Sequence, residues 1–339
     1  MAELKVACLG AGYFSQFHYQ SWRRIDRVRL VGSCDCALTK AKATGLPAFS
    51  DLAQMLVATE PDVLDIILPP GAHAAAIETA LEASVKKIIC QKPFCQSRDE
   101  AARISERARS VGATIVVHEN FRFQPWYRRI RRALQEEILG NVLQVTFRLR
   151  PGDGQGPHAY LDRQPYFQKM PRFLIHETGV HWIDTLRFLL GDPNAVYADL
   201  RQINPAIAGE DAGFVLFDHP GGVRALFDGN RLLDHAAENK RRTMGEGLVE
   251  GTKGTISLLG DGSLWQRSLG TRSETCLLSP DVSEGFGGDC VHALQTHAVN
   301  GFLDGSPLEN RAEDYLKVLE IEDAVYRSAQ QGSKISLAP

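Results

Sequence analysis

The sequence predicts an α/β protein in two parts: a doubly wound parallel sheet over the first third of the chain, and then an α+β domain with a largely antiparallel open sheet. Three observations support this fold class. Strand-like and helix-like segments alternate as far as about residue 120, a Gly-x-Gly motif follows the first strand, and several strand-like runs follow one another between Asn194 and Leu278. We therefore expect one domain over residues 1–122 and a second over residues 123–339, whose last helix can pack back on the first.

The glycine motif begins directly after the opening strand. That strand, Leu4–Leu9, runs into Gly10-Ala11-Gly12-Tyr13-Phe14-Ser15, and a helix is predicted from Phe14 to Ile25. Glycines in such a turn let backbone N–H groups approach a pyrophosphate, and the N-terminus of the following helix adds positive partial charge. Ser15 stands where the third glycine of a dinucleotide fingerprint falls, a packing position at which a small side chain fits. The motif predicts a Rossmann dinucleotide-binding domain.

An acidic residue follows the second predicted strand, Val28–Cys34. Asp35 lies about 20 residues beyond the glycines, where a carboxylate accepts hydrogen bonds from the ribose hydroxyls of the adenosine half. Because its charge repels a 2′-phosphate, we expect NAD as the cofactor. Lys40 and Lys42 follow closely and would favour a 2′-phosphate, which keeps NADP as the less favoured alternative.

The rest of the first domain continues the alternation. The predicted elements are a helix from Asp51 to about Thr59, a strand over 63–68, a helix over 72–83, a strand over 87–90, a helix from Ser97 to about Val111 and a strand over 114–117. Right-handed crossovers between parallel strands place the carboxyl ends of the strands at one sheet edge. The residues expected at that edge are Gly10, Asp35, Leu68, Gln91 and His118.

The second domain has a different pattern. A connecting helix over 125–138 and a strand over 142–150 lead into a loop over 151–171 that is rich in Gly, Pro and Gln. An amphipathic helix over 178–190 follows. Strand-like runs lie at 213–217, 223–227 and 255–258, and Gly221-Gly222 predicts a hairpin turn between the first two. Two helices, over about 288–303 and 312–331, close the chain.

The composition excludes several classes of protein. The 339 residues are 44% hydrophobic and 23% charged, and the formal net charge of −3 gives no field that would attract nucleic acid. No apolar stretch approaches the ~20 residues that span a membrane. The seven cysteines lack the spacing of a metal site or a disulfide framework. With no signal peptide before the first strand, we expect a cytoplasmic protein with reduced cysteines, no metal, and neither nucleic acid nor membrane as a partner.

A lysine follows the predicted strand over 87–90. Lys92 would lie at the sheet edge, beside any bound nicotinamide. Its ammonium group can donate a hydrogen bond to a substrate hydroxyl and stabilise a developing alkoxide. A surface lysine beside a turn proline is the alternative, and the position at a strand end favours the functional interpretation.

A second group of candidate residues lies at the start of the helix over 178–190. Thr178 is a candidate N-cap, which would place His181 in the first helical turn, where the helix dipole disfavours the imidazolium form. A neutral imidazole can accept a hydroxyl proton, and Asp184, one turn further on, could orient the ring. Glu177 shares a helix face with His181 only if the helix starts early. The alternative is a capped core helix that contains a buried histidine.

Other polar residues are weaker candidates. Asn120 and Arg122 follow the last strand of the first domain and could reach the sugar or the nicotinamide amide, although Arg122 could equally pair with a carboxylate. On a late helix, spacing allows two further side chains, His292 and Gln295, to share a face. His297 lies on the same helix and is also a candidate substrate ligand, whereas His18 on the first helix is expected to be a packing residue.

Short motifs spread over nearly the whole chain form a further pattern. They are Gly10-Ala11-Gly12, Pro69-Pro70-Gly71-Ala72-His73, Gln91-Lys92-Pro93, Glu119-Asn120-Phe121-Arg122-Phe123, Gly179-Val180-His181-Trp182-Ile183-Asp184, Gly251-Thr252-Lys253-Gly254-Thr255 and Ala324-Val325-Tyr326-Arg327-Ser328-Ala329. Together they resemble the glucose–fructose oxidoreductase / inositol dehydrogenase / MocA (Gfo/Idh/MocA) family. The resemblance implies oxidation or reduction of a sugar or cyclitol hydroxyl with NAD(P). It also implies Lys92 as a catalytic residue, His181 as acid/base, Glu177 as a substrate ligand, and a dimer or tetramer formed through the C-terminal sheet.

The predicted site is therefore as follows. Lys92 and His181 are catalytic, and Glu177, Asn120, Arg122 and His297 bind the substrate. The cofactor-binding residues are Gly10, Gly12, Tyr13, Phe14, Asp35, Leu68, Pro69, His73, Gln91 and Lys92.

We expect an NAD-dependent dehydrogenase that is a homodimer or homotetramer. It would transfer a hydride between nicotinamide and a sugar or polyol carbinol, in an aldose, a cyclitol or a branched pentose such as D-apiose. Segments 12–18 and 289–297 favour the branched pentose, because they resemble apiose dehydrogenases. Two alternatives stay open: an NAD-dependent glycosidase on the same fold, and a non-catalytic dinucleotide-binding sensor or corepressor.

Two residues depart from the family's pattern. Gln91 replaces a glutamate, and Glu177 replaces an aspartate. The absence of a carboxylate beside Lys92 disfavours the charged form of its amine. We therefore predict that the substitution Gln91→Glu raises the pKa observed in the pH–rate profile of the reaction. An unshifted profile would contradict this prediction.

Overall fold

The chain divides into two compact units. The structure is a computed structural model that describes residues 3–283 and 285–337. The first unit comprises Met1–Asn120 and Val291–Leu319, and the second comprises Phe121–Cys290 and Glu320–Pro339. The chain thus leaves the first unit after residue 120, close to the predicted boundary at residue 122. The first unit also takes in residues 291–319, which that division had assigned to the second domain.

The first unit contains a six-stranded parallel sheet. Its strands are β1 (Leu4–Leu9), β2 (Val28–Cys34), β3 (Ala48–Phe49), β4 (Val63–Ile66), β5 (Lys87–Gln91) and β6 (Thr114–His118), in the order β3-β2-β1-β4-β5-β6. The connecting helices are α1 (Ser15–Trp22), α2 (Leu38–Ala43), α3 (Leu52–Thr59), α4 (His73–Glu82) and α5 (Arg98–Ser110). All neighbouring strands run parallel, which confirms the doubly wound fold and places their carboxyl ends at one edge.

Local sequence signals explain these elements. Strand β4 is buried along its whole length, as a central strand between crossover helices requires. The side chain of Asp51 accepts a hydrogen bond from the Gln54 N–H at 2.8 Å, and the Ser97 hydroxyl accepts one from the Glu100 N–H at 3.2 Å. Asp51 and Ser97, the residues at which these two helices were predicted to begin, are therefore N-caps, since each satisfies an N–H group that its helix leaves unpaired.

The second unit is built on a nine-stranded sheet. Its elements are α6 (Pro125–Gln135), β7 (Val142–Leu149), a π-helix (Leu174–Gly179), α7 (Val180–Leu190), β8 (Ala195–Arg201), β9 (Ala212–Asp218), β10 (Arg224–Asn230), β11 (Gly245–Gly251), β12 (Gly254–Leu258), β13 (Leu264–Ser268) and β14 (Glu274–Leu278). Helices α8 (Cys290–Asp304) and α9 (Ala312–Gln331) and strand β15 (Ile335–Ser336) complete the chain. The strand order is β14-β13-β12-β11-β7-β10-β9-β8-β15. Only β7 and β10 pair in parallel, which confirms a largely antiparallel sheet.

Helix α7 packs on the inner face of this sheet. Its Trp182 is 1% exposed, and the Trp182 ring centroid lies 4.4 Å from that of Phe147 on β7 and 5.4 Å from that of Phe227 on β10. These rings belong to the alternate, inward-facing positions of the strands. Burial of aromatic side chains at this contact fixes the helix that carries His181 on the sheet.

Strand β11 is an element that the sequence pattern missed. Its residues Gly245–Gly251 are rich in glycine and glutamate, which have low strand propensity, yet β11 pairs with both β7 and β12. At Gly245, φ is +155°, and a Cβ atom there would lie 1.9 Å from the Arg148 carbonyl oxygen. Close approach of the two backbones therefore excludes any side chain at this position.

Within the described residues, no helix has both the length and the apolar character that crossing a bilayer requires.

Candidate active-site residues

The glycine turn after β1 is held against the end of β4. Gly10 has φ of +110°, and a Cβ atom there would lie 2.3 Å from the Ile67 carbonyl oxygen, so only glycine fits. A Cβ atom at Gly12 would meet no atom within 4 Å, so this side of the turn is open. The turn therefore packs closely against the end of β4 at Gly10 and stays open at Gly12, where a pyrophosphate could approach its N–H groups.

The Asp35 carboxylate closes the same turn from β2. Its Oδ2 accepts a hydrogen bond from the Ala11 N–H at 2.8 Å, and its Oδ1 accepts one from the Ala37 N–H at 2.9 Å. The acid is thus fixed beside the glycine turn at the carboxyl end of β2. This position, together with the cradle at Gly10 and Gly12, fits the adenosine half of NAD.

His73 joins the segments that follow β4 and β5. Its Nε2 donates to the Leu68 carbonyl at 2.8 Å, and its Nδ1 accepts from the Cys95 N–H at 3.3 Å. Burial lowers the pKa of His73 to about 4, so the ring is neutral at pH 7. His73 therefore holds the Leu68-Pro69 segment in place, and nothing in this arrangement requires it to touch a cofactor.

Gln91 and Lys92 stand at the carboxyl end of β5. The Oε1 atom of Gln91 accepts the Lys92 N–H at 3.2 Å, and its Nε2 faces His18 Nε2 at 2.7 Å. Lys92 precedes Pro93 through a cis peptide bond. Because β1 and β5 both belong to the parallel sheet, Lys92 lies at the same sheet edge as the glycine turn.

The helix that carries His181 starts earlier than predicted. Residues Leu174–Gly179 form a π-helix that continues into α7, and α7 has no side-chain N-cap. The prediction that Thr178 caps the helix is therefore wrong, because the carbonyl groups of the preceding turn already face the first N–H groups of α7. Single π-helical turns within helices often mark functional sites.

Glu210 satisfies the first N–H groups of this helical segment instead. One carboxylate oxygen, Oε1, accepts from the N–H groups of Phe173 and Ile175, each at 3.1 Å. The same oxygen accepts from the Tyr326 hydroxyl of α9 at 2.6 Å. The start of the π-helix is thus held by residues distant in sequence.

His181 is nearly buried and stacks on an aromatic ring. It is 5% exposed, and its ring lies parallel to that of Phe121, with a centroid separation of 3.7 Å and an interplanar angle of 6°. Asp184, the predicted orienting residue, makes a two-pronged ion pair with Arg122 at 2.5 and 2.8 Å. Of the two roles open for Arg122, the structure therefore shows the ion pair.

A buried arginine holds Glu177. Arg231 is 2% exposed; it donates to Thr178 Oγ1 at 2.5 Å and approaches Glu177 at 3.5 Å. It also donates to the Tyr160 hydroxyl at 2.7 Å and to Asp153 at 3.1 Å. Burial alone would raise the pKa of Asp153, but the charges of Arg231 and Arg163, with the hydrogen bonds from Arg231 and Tyr160, outweigh it and hold that pKa below its usual value.

Sequence reasoning missed this cluster of Arg231, Asp153 and Tyr160. Tyr160 belongs to the segment over 151–171 that was predicted to be a loop, yet it is 5% exposed, because its ring packs with Phe167 and Phe173. Arg231 directly follows β10, most of which the predicted strand over 223–227 covers, but no local motif marks the arginine. The only available signal was the density of aromatic and charged residues within the loop over 151–171.

Two other predicted substrate ligands belong to the first unit. Asn120 is 2% exposed, and its Nδ2 atom has no hydrogen-bond acceptor among the described residues. His297 Nε2 accepts from the Glu309 N–H at 2.8 Å, which ties α8 to the segment before α9. Asn120 thus offers a buried donor, whereas His297 is engaged in a structural contact. In the described ranges, no group of three or more metal-ligating side chains is placed to hold a metal ion.

We predict that Asp35→Ala weakens binding of NADH relative to NADPH. The substitution removes the negative charge that repels a 2′-phosphate and the acceptor that holds the Ala11 N–H. The ratio of dissociation constants, measured by nucleotide fluorescence, should shift by about tenfold or more toward NADPH. The control Asp51→Ala removes a helix cap of the same unit and should leave the ratio unchanged. An unchanged ratio in Asp35→Ala would count against the ribose contact.

We predict that Arg231→Met lowers the free energy of unfolding by about 3–5 kcal/mol, because it removes the buried guanidinium that pairs with Asp153 and Glu177. Among the residues that the structure describes, Asp153 then keeps only its ion pair with Arg163. Urea unfolding at pH 7 measures this loss. Arg201→Met is the matched control: its ion pair with Asp199 is exposed and screened by solvent, so its loss should change the free energy of unfolding far less. Because the pKa of Asp153 is lowered in the folded state, its contribution is present at neutral pH and declines as the pH falls below about 3.9. Equal losses in both variants would refute the assigned role of Arg231.

Comparison with known proteins places these residues in a family. Residues 4–119 match the protein family described as "Oxidoreductase family, NAD-binding Rossmann fold". Residues 127–257 match the family described as "GFO/IDH/MocA C-terminal domain". A D-apiose dehydrogenase from Paraburkholderia graminis is 31% identical over 98% of this chain and 89% of its own length. A D-apiose dehydrogenase from Rhizobium rhizogenes is 27% identical over 99% and 98% of the two chains.

A solved structure is similar to this chain over nearly its whole length. An oxidoreductase from Agrobacterium radiobacter, crystallised with NAD+, L-tartaric acid and magnesium, is 26% identical, has a TM-score of 0.89 and covers 99% of this chain and 98% of its own. The family match extends over both units and agrees with the glycine turn, Asp35 and the Gln91-Lys92-Pro93 segment. The chain therefore belongs to the GFO/IDH/MocA family and is an NAD-dependent oxidoreductase that acts on CH–OH groups.

Proposed function

We propose that this enzyme oxidises a carbinol of a small sugar, with a branched pentose such as D-apiose as the first candidate, and that Lys92 and His181 are its catalytic residues. One observation carries the proposal: Lys92, at the end of β5, lies at the same sheet edge as the glycine turn and Asp35. A dinucleotide bound at that turn would extend its nicotinamide end along this edge, toward Lys92. The similarity to two D-apiose dehydrogenases over nearly the full chain supports the substrate class.

The residues account for the proton chemistry of the reaction. When bound, NAD accepts the hydride that leaves the carbinol carbon. The hydroxyl proton passes to the His181 imidazole, and the electrons of the broken O–H bond form the carbonyl. The Lys92 ammonium donates a hydrogen bond to the same oxygen and stabilises its negative charge as the proton leaves. Stacking on Phe121 holds the His181 ring in one orientation.

Substrate hydroxyls need fixed polar partners. Glu177 can accept hydrogen bonds from two neighbouring hydroxyls, and Arg231 with Thr178 fixes one of its oxygens. The Nδ2 of Asn120 is a buried donor without an acceptor of its own in residues 3–283 and 285–337, which suits a ligand oxygen. Arg122 acts through Asp184 and the start of α7, and we assign no substrate contact to it or to His297.

We also propose that the enzyme is a cytoplasmic homodimer or homotetramer. The outer face of the nine-stranded sheet exposes large apolar side chains: Tyr197 is 40%, Phe214 53% and Leu216 41% exposed. They lie on the adjacent strands β8 and β9, where Tyr197 pairs with Leu216. A contiguous apolar sheet face of this kind suits a contact with a second copy. All seven cysteines are free thiols, which agrees with a reducing compartment.

The first test is turnover by the purified enzyme. Incubation with NAD+ and a panel of aldoses, cyclitols and D-apiose should produce NADH, followed by its absorbance. We predict that Lys92→Met and His181→Asn each lower kcat by about 10²–10⁴-fold, because each removes a proton donor or acceptor from the reaction. Lys86→Met changes a lysine that bonds the Val111 carbonyl, and it should keep wild-type turnover.

The same assay separates the alternatives. Cleavage of glycosides without net NADH would replace the proposal with an NAD-dependent glycosidase. Tight NADH binding with no turnover of any substrate would indicate a sensor or corepressor. Full activity in Lys92→Met would exclude that lysine from the chemistry.

A further inference from the structure

A buried chain of hydrogen bonds runs through the first unit from β4 to β5. It begins at Asp65, a fully buried carboxylate in the middle of the parallel sheet. Its Oδ2 accepts from His18 Nδ1 at 2.8 Å and from Trp22 Nε1 at 2.7 Å, both on α1. Gln295 on α8 approaches the same oxygen at 3.5 Å. Asp65 therefore holds the His18 ring from one side.

The other ring nitrogen of His18 faces Gln91. The distance between His18 Nε2 and Gln91 Nε2 is 2.7 Å, so one of these atoms donates and the other accepts. The carboxylate of Asp65 only accepts, which puts the ring proton on Nδ1 and leaves Nε2 as an acceptor. The amide of Gln91 then donates, and its second amide hydrogen points toward His118 Nδ1 at 3.3 Å.

The remaining atom of the amide completes the chain. Gln91 Oε1 accepts the backbone N–H of Lys92 at 3.2 Å. A reversed amide would place an NH₂ group against that N–H, so the Lys92 contact and the His18 contact require the same orientation. Every donor in the path from Lys92 to Asp65 is thereby matched with an acceptor.

We propose that His18, held by Asp65, is a positioning residue for Lys92 and acts through the amide of Gln91. The inference rests on the proposed function, in which Lys92 is catalytic. His18 lies on α1, the helix that directly follows the glycine turn, so the chain ties the cofactor helix to the end of β5. The ring is also packed, at 4.1 Å between centroids, against His118 on β6.

This arrangement explains why glutamine stands where the family pattern has glutamate. A carboxylate at position 91 has no hydrogen to offer the Nε2 acceptor of His18, and two acceptors would face each other across a buried contact. Glutamate fits here only if His18 takes up a second proton. The amide at 91 and the histidine at 18 therefore form a matched pair.

Two substitutions of His18 separate its two contacts. The amide of asparagine reaches about as far from the backbone as Nδ1, and the amide of glutamine about as far as Nε2. His18→Asn thus keeps the hydrogen bond to Asp65 and loses the one from Gln91. His18→Gln keeps an acceptor for the Gln91 amide and loses the hydrogen bond to Asp65. We expect His18→Asn to lower kcat by about tenfold to a hundredfold, as a displaced reacting group does, with KM for NAD changed less than about threefold. His18→Gln should keep kcat within about threefold of wild type.

Trp22→Phe is the control for general damage to the core, because it removes a different Asp65 bond without touching Gln91. It should lower thermal stability but leave kcat within about twofold of wild type. Equal kcat in His18→Asn and His18→Gln, or a loss in Trp22→Phe as large as in His18→Asn, would overturn the proposal.

A spectroscopic measurement makes the test independent of the substrate. In ¹⁵N imidazole NMR of the wild-type enzyme at pH 7, we expect the His18 ring to carry its proton on Nδ1, with the signal assigned by its loss in His18→Gln. A proton on Nε2 would overturn the chain, even in an active enzyme. If no sugar is oxidised but the Nδ1–H form is observed, the proposed function fails and the hydrogen-bonded chain stands.

Discussion

The contact between Gly10 and the Ile67 carbonyl is the constraint on which the cofactor half of the enzyme depends. A Cβ atom at position 10 would lie 2.3 Å from the Ile67 carbonyl oxygen, so no side chain fits there. The turn after β1 therefore lies directly on the end of β4. The Ala11 N–H then meets the Asp35 carboxylate, and α1 leaves the sheet at the angle that brings His18 to Asp65 and Gln91. The close contact at Gly10 thus helps to position the glycine turn, the Asp35 carboxylate and helix α1 together.

The second unit relies on buried charge. Arg231, Asp153 and Glu177 have little access to water, and their hydrogen bonds with one another and with Tyr160 replace hydration. Glu177 is longer than aspartate by one methylene, but Thr178 and Arg231 both contact its Oε2 atom and restrict its side chain. Its Oε2 atom lies 3.5 Å from Arg231 Nη1. The departure from the family pattern is therefore linked to the arginine, a residue far away in sequence.

The sequence was sufficient for features governed by local rules or by parallel-sheet geometry. The glycine turn, Asp35 and the end of β5 follow from strand–helix alternation, because such a sheet collects its carboxyl ends at one edge. Thr178 failed as an N-cap because a π-helix precedes α7, and nothing local distinguishes that turn from coil. The partners of Glu177 and Asp184 were not predictable either, since Arg231 and Arg122 lie 54 and 62 positions away in the chain. Strand β11 was not predicted, because its glycines have low strand propensity and are required by close backbone contact instead.

The hydroxyl of Tyr326 has a consequence for how the protein is made. It bonds the Glu210 oxygen that also receives the first N–H groups of the segment leading to His181. Tyr326 lies 116 positions after Glu210 in the chain, so the ribosome adds it well after the helix that carries His181. Strands β7 to β14 can pair earlier, but the start of the helix that carries His181 gains this partner only after α9 has been synthesised. A nascent chain therefore carries the imidazole long before it carries the group that completes its support.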